Sequence, residues 1–276
     1  MSEIKLICTD IDGTLLNSNK KINKADKLML QRAWREKNIP IALVSGRFKS
    51  GLTFLADELE IPCIYSCFNG AYVEWENNII ADTKISLDSL RKVIPAIEET
   101  GSIPQIFDLN DYYFSEDNHF NELQIQVVGF EGIIGDLNKQ IDKWEKENYQ
   151  PYKILAKHKD PKQLEKTKQA ILDLNIKELK VVQSASFILE IIPATSSKAN
   201  TINLLASYLN IGVDQIMALG DYENDKEMLQ AAGVSIAMGN GTEEIKSIAD
   251  YVTSTSDDNG LAKAVNKFVF DNKYDV

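Results

Sequence analysis

Four polar segments of this sequence each follow a short apolar run, and they contain the side chains best suited to chemistry. Asp10 and Asp12 follow the apolar residues 4–9, and Asp221 and Asp225 follow a second such run. Two unit charges about 4 Å apart repel by about 4 kcal/mol at an effective dielectric near 20. Four carboxylates that converge on one crevice therefore require a cation. An oxygen-only ligand set, particularly beside phosphate, is typical of Mg²⁺.

The other two segments suit the binding of a phosphate group. Ser45-Gly46-Arg47 follows a third apolar run, and a hydroxyl beside glycine presents an O–H and bare backbone N–H groups to phosphate oxygens. Lys198 stands at the start of a predicted helix, where a positive charge is unfavourable for the helix dipole. That misfit indicates that its charge has another use. An ordinary turn at Ser45 and a solvated surface lysine at 198 are the alternatives.

The elements that must position these residues alternate between strand and helix in both terminal thirds of the chain. Strands are predicted at residues 4–9, 39–44, 63–67, 215–219 and 234–237, with helices at 24–37, 52–59, 198–209 and 225–231 between them. This alternation is typical of a doubly wound parallel sheet, which is a Rossmann-like core. In such sheets, ligands bind at the carboxyl ends of the strands where the strand order reverses. The four polar segments all follow predicted strands or begin a predicted helix.

The middle of the chain has a different pattern, which predicts an α+β domain inserted into the core. A hairpin is expected within residues 72–83, before the insert begins. Inside the insert, strands are predicted at 105–114, 123–128, 153–157, 179–183 and 187–192, and helices at 88–98, 133–147 and 161–174. We therefore expect core segments at residues 1–84 and 191–276, separated by an inserted cap domain at residues 85–190.

Composition excludes several classes of partner. The chain has 30 Lys plus Arg against 41 Asp plus Glu, a net charge of −11, which repels nucleic acid and anionic lipid. The sequence contains neither a long apolar run typical of a membrane span nor a signal peptide. We therefore expect a cytoplasmic protein with no nucleic-acid or membrane partner. The oligomeric state stays open.

Six motifs in order along the core resemble the haloacid dehalogenase-like hydrolase superfamily, and specifically its Cof-type phosphatases with a large α/β cap. The motifs are DIDGTLL at 10–16, SGR at 45–47, FNGA at 68–71, SSKAN at 196–200, GDYENDKEML at 220–229 and AMGNG at 237–241. The insert matches the position and size of the family's cap, but only weakly its sequence. The resemblance implies that the cap sets substrate specificity.

The resemblance also implies a role for each core residue. Asp10 would be the nucleophile that forms an aspartyl-phosphate, and Asp12 would protonate the leaving oxygen and later deprotonate water. Mg²⁺ would be held by Asp10, by Asp221 and by the main-chain carbonyl of Asp12. Lys198 would be a third catalytic residue, and Asp225 would orient either it or a metal-bound water. The residues expected to bind the substrate are Thr14, Ser45, Gly46, Arg47 and Asn224.

These observations predict a Mg²⁺-dependent phosphatase that acts on a small phosphorylated metabolite, such as a sugar phosphate. A phosphosugar mutase is the alternative within enzymes, although such a cap should present several arginines and the insert has only Arg91. A non-catalytic sensor of a phosphorylated metabolite is the alternative outside enzymes. The intact set of Asp10, Asp12, Lys198 and Asp221 argues against a sensor.

Overall fold

A computed structural model describes residues 2–117, 119–128 and 130–270. The chain forms two compact units. The first, called the core unit, contains residues 2–47, 52–82 and 197–270. The second, called the insert unit, contains residues 48–51 and 83–196.

The strands and helices are numbered along the whole chain. The strands are β1 Leu6–Thr9, β2 Ile41–Val44, β3 Cys63–Cys67, β4 Tyr72–Trp75, β5 Asn78–Asp82, β6 Ile103–Phe107, β7 Tyr112–Phe114, β8 Ile133–Ile134, β9 Lys153–Lys157, β10 Leu179–Ala185, β11 Ile188–Pro193, β12 Ile216–Gly220, β13 Val234–Ala237 and β14 Tyr251–Val252. The helices are α1 Lys24–Lys37, α2 Ser50–Leu59, α3 Leu87–Glu99, α4 His119–Val128, α5 Leu137–Glu147, α6 Pro161–Asp173, α7 Lys198–Leu209, α8 Lys226–Ala231, α9 Glu243–Ile248 and α10 Gly260–Val269. Among the helices of the described residues, none is both long and apolar enough to cross a lipid bilayer.

The core unit is built on one sheet with the strand order β14-β13-β12-β1-β2-β3-β4-β5. The strands from β14 to β3 are parallel, and β4 and β5 form an antiparallel hairpin at one edge. Strands β1, β2 and β12 are buried along their whole length, which explains why their sequences are continuous apolar runs. The predicted doubly wound sheet is confirmed.

The strand order reverses at β1, which has β2 on one side and β12 on the other. The carboxyl ends of these three strands lie at the same edge of the sheet because the strands are parallel. This is the crevice where open α/β sheets bind their ligands. The strands end immediately before Asp10, Ser45 and Asp221.

The insert unit has its own sheet, with the strand order β10-β11-β9-β6-β7-β8. Side chains of α3, α5 and α6 form one apolar cluster with one face of this sheet, including Ile154 and Ala156 of β9. Side chains alternate between the two faces of a strand. Lys153, Leu155 and Lys157 of β9 therefore point to the opposite face.

Three predicted elements of the insert differ from the structure. The predicted strand at 123–128 was wrong, because these residues lie in helix α4. Two side chains help to fix the segment there: Gln105 donates to the Asn121 side chain, and Asn121 donates to the backbone of Glu116. Such tertiary contacts readily override a weak strand preference.

The other two differences come from capping and turn chemistry. The helix predicted at 133–147 begins only at Leu137, because Asp136 caps its first N–H groups, and residues 133–134 form β8. The strand predicted at 105–114 is interrupted by a turn, in which the Asp108 carboxylate accepts the N–H groups of Asn110 and Asp111.

Candidate active site

Lys198 lies at the centre of the candidate site, between two buried carboxylates. Helix α7 begins at Lys198, and the Ser197 hydroxyl caps it by accepting the N–H of Asn200. The Lys198 Nζ is 2.6 Å from Asp10 Oδ1 and 2.6 Å from Asp225 Oδ1. The exposed fractions of the three residues are 3% for Lys198, 6% for Asp10 and 0% for Asp225. The predicted helix start is correct, and the lysine is not a solvated surface residue.

The surroundings of Lys198 keep it charged. Burial alone lowers the pKa of a lysine, but here the carboxylates of Asp10 and Asp225 outweigh burial and raise the pKa of Lys198 above its usual range. A buried charge of this kind is stabilised only when its partners are also in place. The lysine therefore orders both carboxylates.

Asp10 directly follows β1, and its N–H donates to the carbonyl of Leu219. Burial, and after it the negative charge of Asp225, raise the pKa of Asp10 to about 7 although Lys198 opposes both. One lysine thus only partly compensates the acidic residues around it. A bound cation would favour the ionised form that a nucleophile needs.

Asp225 is fully buried and accepts hydrogen bonds through both of its carboxylate oxygens. Its Oδ1 accepts the hydrogen bond from Lys198, and its Oδ2 accepts the N–H groups of Asp221 at 3.0 Å and Tyr222 at 3.2 Å. Both of its oxygens are therefore engaged by the protein. This arrangement agrees with the predicted orienting role, which stays a prediction.

The carboxylates of Asp10, Asp221 and Asp225 approach within 4.8 Å of one another and could hold a metal ion. Both carboxylate oxygens of Asp225 accept hydrogen bonds from the protein, so the oxygens of Asp10 and Asp221 are more available to a metal ion. The Asp221 carboxylate accepts weak hydrogen bonds of 3.3 Å from Thr14 Oγ1 and from Asn240 Nδ2. Burial, then Asp225, raises the pKa of Asp221 to about 6. A hard oxygen donor set with uncompensated negative charge fits a divalent cation.

The backbone beside Asp221 has no room for another side chain. Gly13 has a φ of 89°, and a Cβ atom at this position would collide with the Asp221 carboxylate. Glycine is therefore required both for the backbone conformation and for the close approach. The Asp12 carboxylate is not part of the acidic cluster, and its predicted metal contact through the main-chain carbonyl stays a prediction.

Asp12 instead pairs with two cationic side chains. Arg47 Nε is 3.0 Å from Asp12 Oδ2, and Arg47 Nη2 is 2.8 Å from Asp12 Oδ1. Lys20 Nζ reaches the same Oδ1 at 2.9 Å. Burial acts to raise the pKa of Asp12, but Arg47 and then Lys20 outweigh it and hold the pKa below its usual value. Arg47, expected to bind substrate, thus contacts the expected acid–base residue.

The Ser45–Arg47 segment is fixed by the turn that follows β3. The N–H of Phe68 donates to the carbonyl of Arg47 at 3.0 Å, and the N–H of Asn69 donates to the carbonyl of Ser45 at 2.9 Å. Asn69 has a left-handed φ of 57°, which asparagine tolerates better than most residues. Its side-chain amide lies beside Gly46: a Cβ atom placed on Gly46 would be 3.4 Å from Asn69 Oδ1.

The remaining predicted residues occupy different environments. Thr14 is fully buried, and its hydroxyl contacts Asp221. Asn224 is exposed in the short turn Glu223–Asp225, and its side chain forms no hydrogen bond among the described residues. Thr14 thus contacts the acidic cluster through Asp221, whereas Asn224 is an exposed residue. The predicted roles of both residues in substrate binding stay predictions.

Three residues that contact the site were not selected from the sequence. Asn69 and Asn240 lie in the FNGA and AMGNG motifs, so the family resemblance contained a signal for them. Lys20 had no such signal, because it is an exposed lysine in a polar turn.

Comparison with known proteins identifies the family. The model of the haloacid dehalogenase-like hydrolase family matches residues 7–265. The phosphatase YwpJ of Bacillus subtilis is 28% identical over 280 residues, which cover 94% of this chain and 98% of that protein. The 5-amino-6-(5-phospho-D-ribitylamino)uracil phosphatase YitU of Bacillus subtilis is 26% identical over 275 residues, covering 95% and 97%.

A solved structure shows the same fold. The haloacid dehalogenase-like hydrolase from Bacteroides thetaiotaomicron superposes with a TM-score of 0.85 at 24% identity, over 96% of this chain and 99% of that one. The chain belongs to the haloacid dehalogenase-like hydrolase family, because the family model spans nearly all of it. The predicted family, core fold and hydrolase class of phosphatase type are confirmed.

Proposed function

We propose that the protein is a Mg²⁺-dependent phosphatase that hydrolyses phosphomonoesters of small metabolites through an aspartyl-phosphate on Asp10. The observation that carries this proposal is the buried Asp10–Lys198–Asp225 group, with Asp221 beside it, at the strand ends where the sheet order reverses. A nucleophilic carboxylate held by a charged lysine, next to a cation site, suits attack on phosphorus.

In the first step, a carboxylate oxygen of Asp10 forms a bond to phosphorus while the bond from phosphorus to the leaving oxygen breaks. The negative charge of the bound phosphate favours the protonated form of Asp12, which gives its proton to that leaving oxygen, so the alcohol departs neutral. In the second step, a water oxygen attacks phosphorus, Asp12 takes the water proton, and the bond from Asp10 to phosphorus breaks. The products are an alcohol and inorganic phosphate, and both carboxylates return to their initial state.

Lys198 and the Ser45–Arg47 segment would bind the phosphoryl oxygens. Lys198 remains charged for this task because two carboxylates flank it. The divalent cation, when bound at Asp10 and Asp221, supplies positive charge that offsets the repulsion between Asp10 and the phosphate. Thr14 and Asn240 orient Asp221 for that contact.

The substrate class is a sugar phosphate or a related polyol phosphate. Support comes from the relative YitU, whose name specifies a phosphorylated ribityl compound as its substrate. The net charge of −11 also favours a small ligand over an anionic polymer. The expectation that residues 85–190 form a separate domain that selects the substrate stays a prediction.

The test is phosphate release from a panel of sugar, polyol and nucleotide phosphates, with Mg²⁺ and with a chelator. The expected result is release that requires Mg²⁺ and is abolished by Asp10→Asn. The matched control is Asp57→Asn, which removes the same charge from an exposed position of the core unit. Acid quenching should trap one phosphoryl group on the wild-type peptide that contains Asp10.

Two results would contradict the proposal. If Asp10→Asn still released phosphate, Asp10 would not be the nucleophile. If a chelator left the release unchanged, the reaction would not require a metal ion. Transfer of the phosphoryl group to a second position of the substrate, without free phosphate, would favour the mutase.

A further inference from the structure

Two cations meet at one oxygen of Asp12. Lys20 Nζ and Arg47 Nη2 lie 2.9 Å and 2.8 Å from the same Oδ1, while Arg47 Nε binds Oδ2. Arg47 contacts both carboxylate oxygens with two N–H groups, and Lys20, eight residues after Asp12, adds a third contact. The orientation of the Asp12 carboxylate is therefore defined from two directions.

The turn that carries Lys20 is firmly anchored. Leu16 pairs with Ile22 across the turn, and both side chains are buried. Within the turn, the Asn17 carbonyl accepts the N–H of Lys20, and the Asn17 Oδ1 accepts the N–H of Lys21 at 3.1 Å.

A second layer of hydrogen bonds ties the turn to the rest of the core unit. The Asn17 amide donates to Asn23 at 2.7 Å, and the Asn23 amide donates to the carbonyl of Ser256 at 2.6 Å. The N–H of Ser18 donates to Asp257 at 2.9 Å. Lys20 is therefore presented by a fixed element and not by a loose loop.

Lys20 also occupies an unfavourable backbone conformation. Its φ is 58°, in the left-handed region that a residue with an unbranched side chain seldom adopts. Such strain persists only where the surroundings over-determine the backbone, and it concentrates at functional sites. The next residue, Lys21, is an exposed lysine of the same turn that has no ion pair among the described residues.

We propose that Lys20 is a positioning residue that, together with Arg47, aims the Asp12 carboxyl group at the leaving oxygen of the substrate. This inference rests on the proposed function, in which Asp12 transfers a proton to that oxygen. Lys20 itself acts only through Asp12 and need not touch the substrate.

The proposal makes the effect of Lys20 depend on the leaving group. An alkoxide, as in a sugar or polyol phosphate, departs slowly unless it is protonated as the bond to phosphorus breaks. A nitrophenolate is stable as an anion and needs little protonation. A misdirected Asp12 therefore slows phosphoryl transfer from alkyl phosphates to Asp10 but barely affects transfer from an aryl phosphate. Because the later hydrolysis of the aspartyl-phosphate is common to both substrates, the comparison is made on kcat/KM, which reports only the transfer step.

The experiment compares Lys20→Met, Lys20→Arg and Lys21→Met in the full-length protein with saturating Mg²⁺. Each variant is assayed with the best alkyl phosphate found for the wild type and with p-nitrophenyl phosphate. Lys20→Met and Lys21→Met remove the same charge from adjacent positions, so a general electrostatic effect is equal in both. Methionine keeps the unbranched stem, so the backbone strain at residue 20 stays similar.

The expected result is that Lys20→Met lowers kcat/KM for the alkyl phosphate on the order of 10-fold, a part of the usual contribution of general acid catalysis. With p-nitrophenyl phosphate, kcat/KM should change less than about 2-fold. Lys20→Arg should restore most of the alkyl activity, and Lys21→Met should match the wild type.

Three outcomes would overturn the inference while leaving the proposed function intact. They are equal losses of kcat/KM with both substrates, equal effects of Lys20→Met and Lys21→Met, or an unchanged kcat/KM for the alkyl phosphate in Lys20→Met. The proposed function fails in a different way, because the wild type itself would then release no phosphate from any alkyl phosphate. The melting temperatures of Lys20→Met and Lys21→Met should be equal, because exposed ion pairs contribute little to stability.

Discussion

Lys198 of the core unit and Lys157 of the insert unit are buried to the same extent, with exposed fractions of 3% and 2%. Their partners differ. Lys198 contacts two carboxylates at 2.6 Å, whereas Lys157 donates to the side-chain oxygen of Gln124 at 2.9 Å and has no ion pair among the described residues.

The pKa values of these two lysines move in opposite directions. Burial, and after it the positive charge of Lys153, lower the pKa of Lys157 to about 7, and Glu190 opposes them only in part. The pKa of Lys198 is raised, because Asp10 and Asp225 outweigh the same burial. Burial alone therefore does not decide whether a lysine is charged, because carboxylates at short distance can outweigh it.

The largest expected effect is the loss of the charge at Lys198. Lys198→Met leaves Asp10 and Asp225 buried without their shared partner, so the free energy of unfolding should fall by about 3–5 kcal/mol. Urea unfolding at neutral pH without metal measures this change, and phosphate release should fall to background in the same variant.

The matched control for that prediction is Lys24→Met. Lys24 is also the first residue of a helix, α1, but it is exposed. Its replacement should change the unfolding free energy by less than about 0.5 kcal/mol. A Lys198→Met protein as stable as the wild type would refute the interpretation of Lys198 as the partner of two buried charges.

The second prediction concerns Lys157 and the pH dependence of stability. Between about pH 7 and pH 10 the unfolded chain holds the proton on Lys157 and the folded chain does not. The contribution of Lys157 to stability should therefore rise with pH by about 1.4 kcal/mol per unit in this window and stay constant below about pH 7, where both states hold the proton.

Lys157→Met should remove this slope. The variant should exceed the wild type in stability most at pH 6 and progressively less toward pH 10, as measured by urea unfolding at several pH values. Lys159→Met, at an exposed position two residues away, should keep the wild-type slope. A wild-type slope that persists in Lys157→Met would show that another group carries it.

The smallest expected effect among these tests follows from Asp225→Asn. An amide offers only one oxygen, so it cannot accept from both Lys198 and the N–H groups of Asp221 and Tyr222. We expect kcat/KM for the best substrate to fall about 10- to 100-fold, as is usual when a residue that orients a metal ligand is changed. Asp57→Asn serves as the control, and an unchanged kcat/KM in Asp225→Asn would reduce Asp225 to a purely structural residue.

The two units also differ in how well their strands and helices could be predicted from the sequence. In the core unit, the parallel strands β1, β2 and β12 are buried on both faces, so their apolar runs are continuous and easily found. Polar residues at their ends then indicate a site. In the insert unit, the segment of α4 alternates apolar and polar residues and was predicted as a strand, because periodicity is ambiguous over so few residues.

For the candidate site, the sequence indicated the residue types but not their pairing. Lys198 was selected because a lysine at a helix start is unfavourable, yet its contacts with Asp10, 188 residues away, and Asp225 follow from the folded sheet. Arg47 was expected to bind substrate, and the structure shows it on Asp12.

The sequence by itself determined the doubly wound core, the strand ends at which the acidic residues stand, and the family to which the chain belongs. These depend on local periodicity and on motifs whose order survives without coordinates. The folded structure was needed to find that the pKa of Lys198 is raised while that of Lys157 is lowered, and that Lys20 reaches Asp12. The physical reason is that a pKa and an ion pair depend on distances of a few ångströms between residues far apart in the chain, which local patterns do not encode.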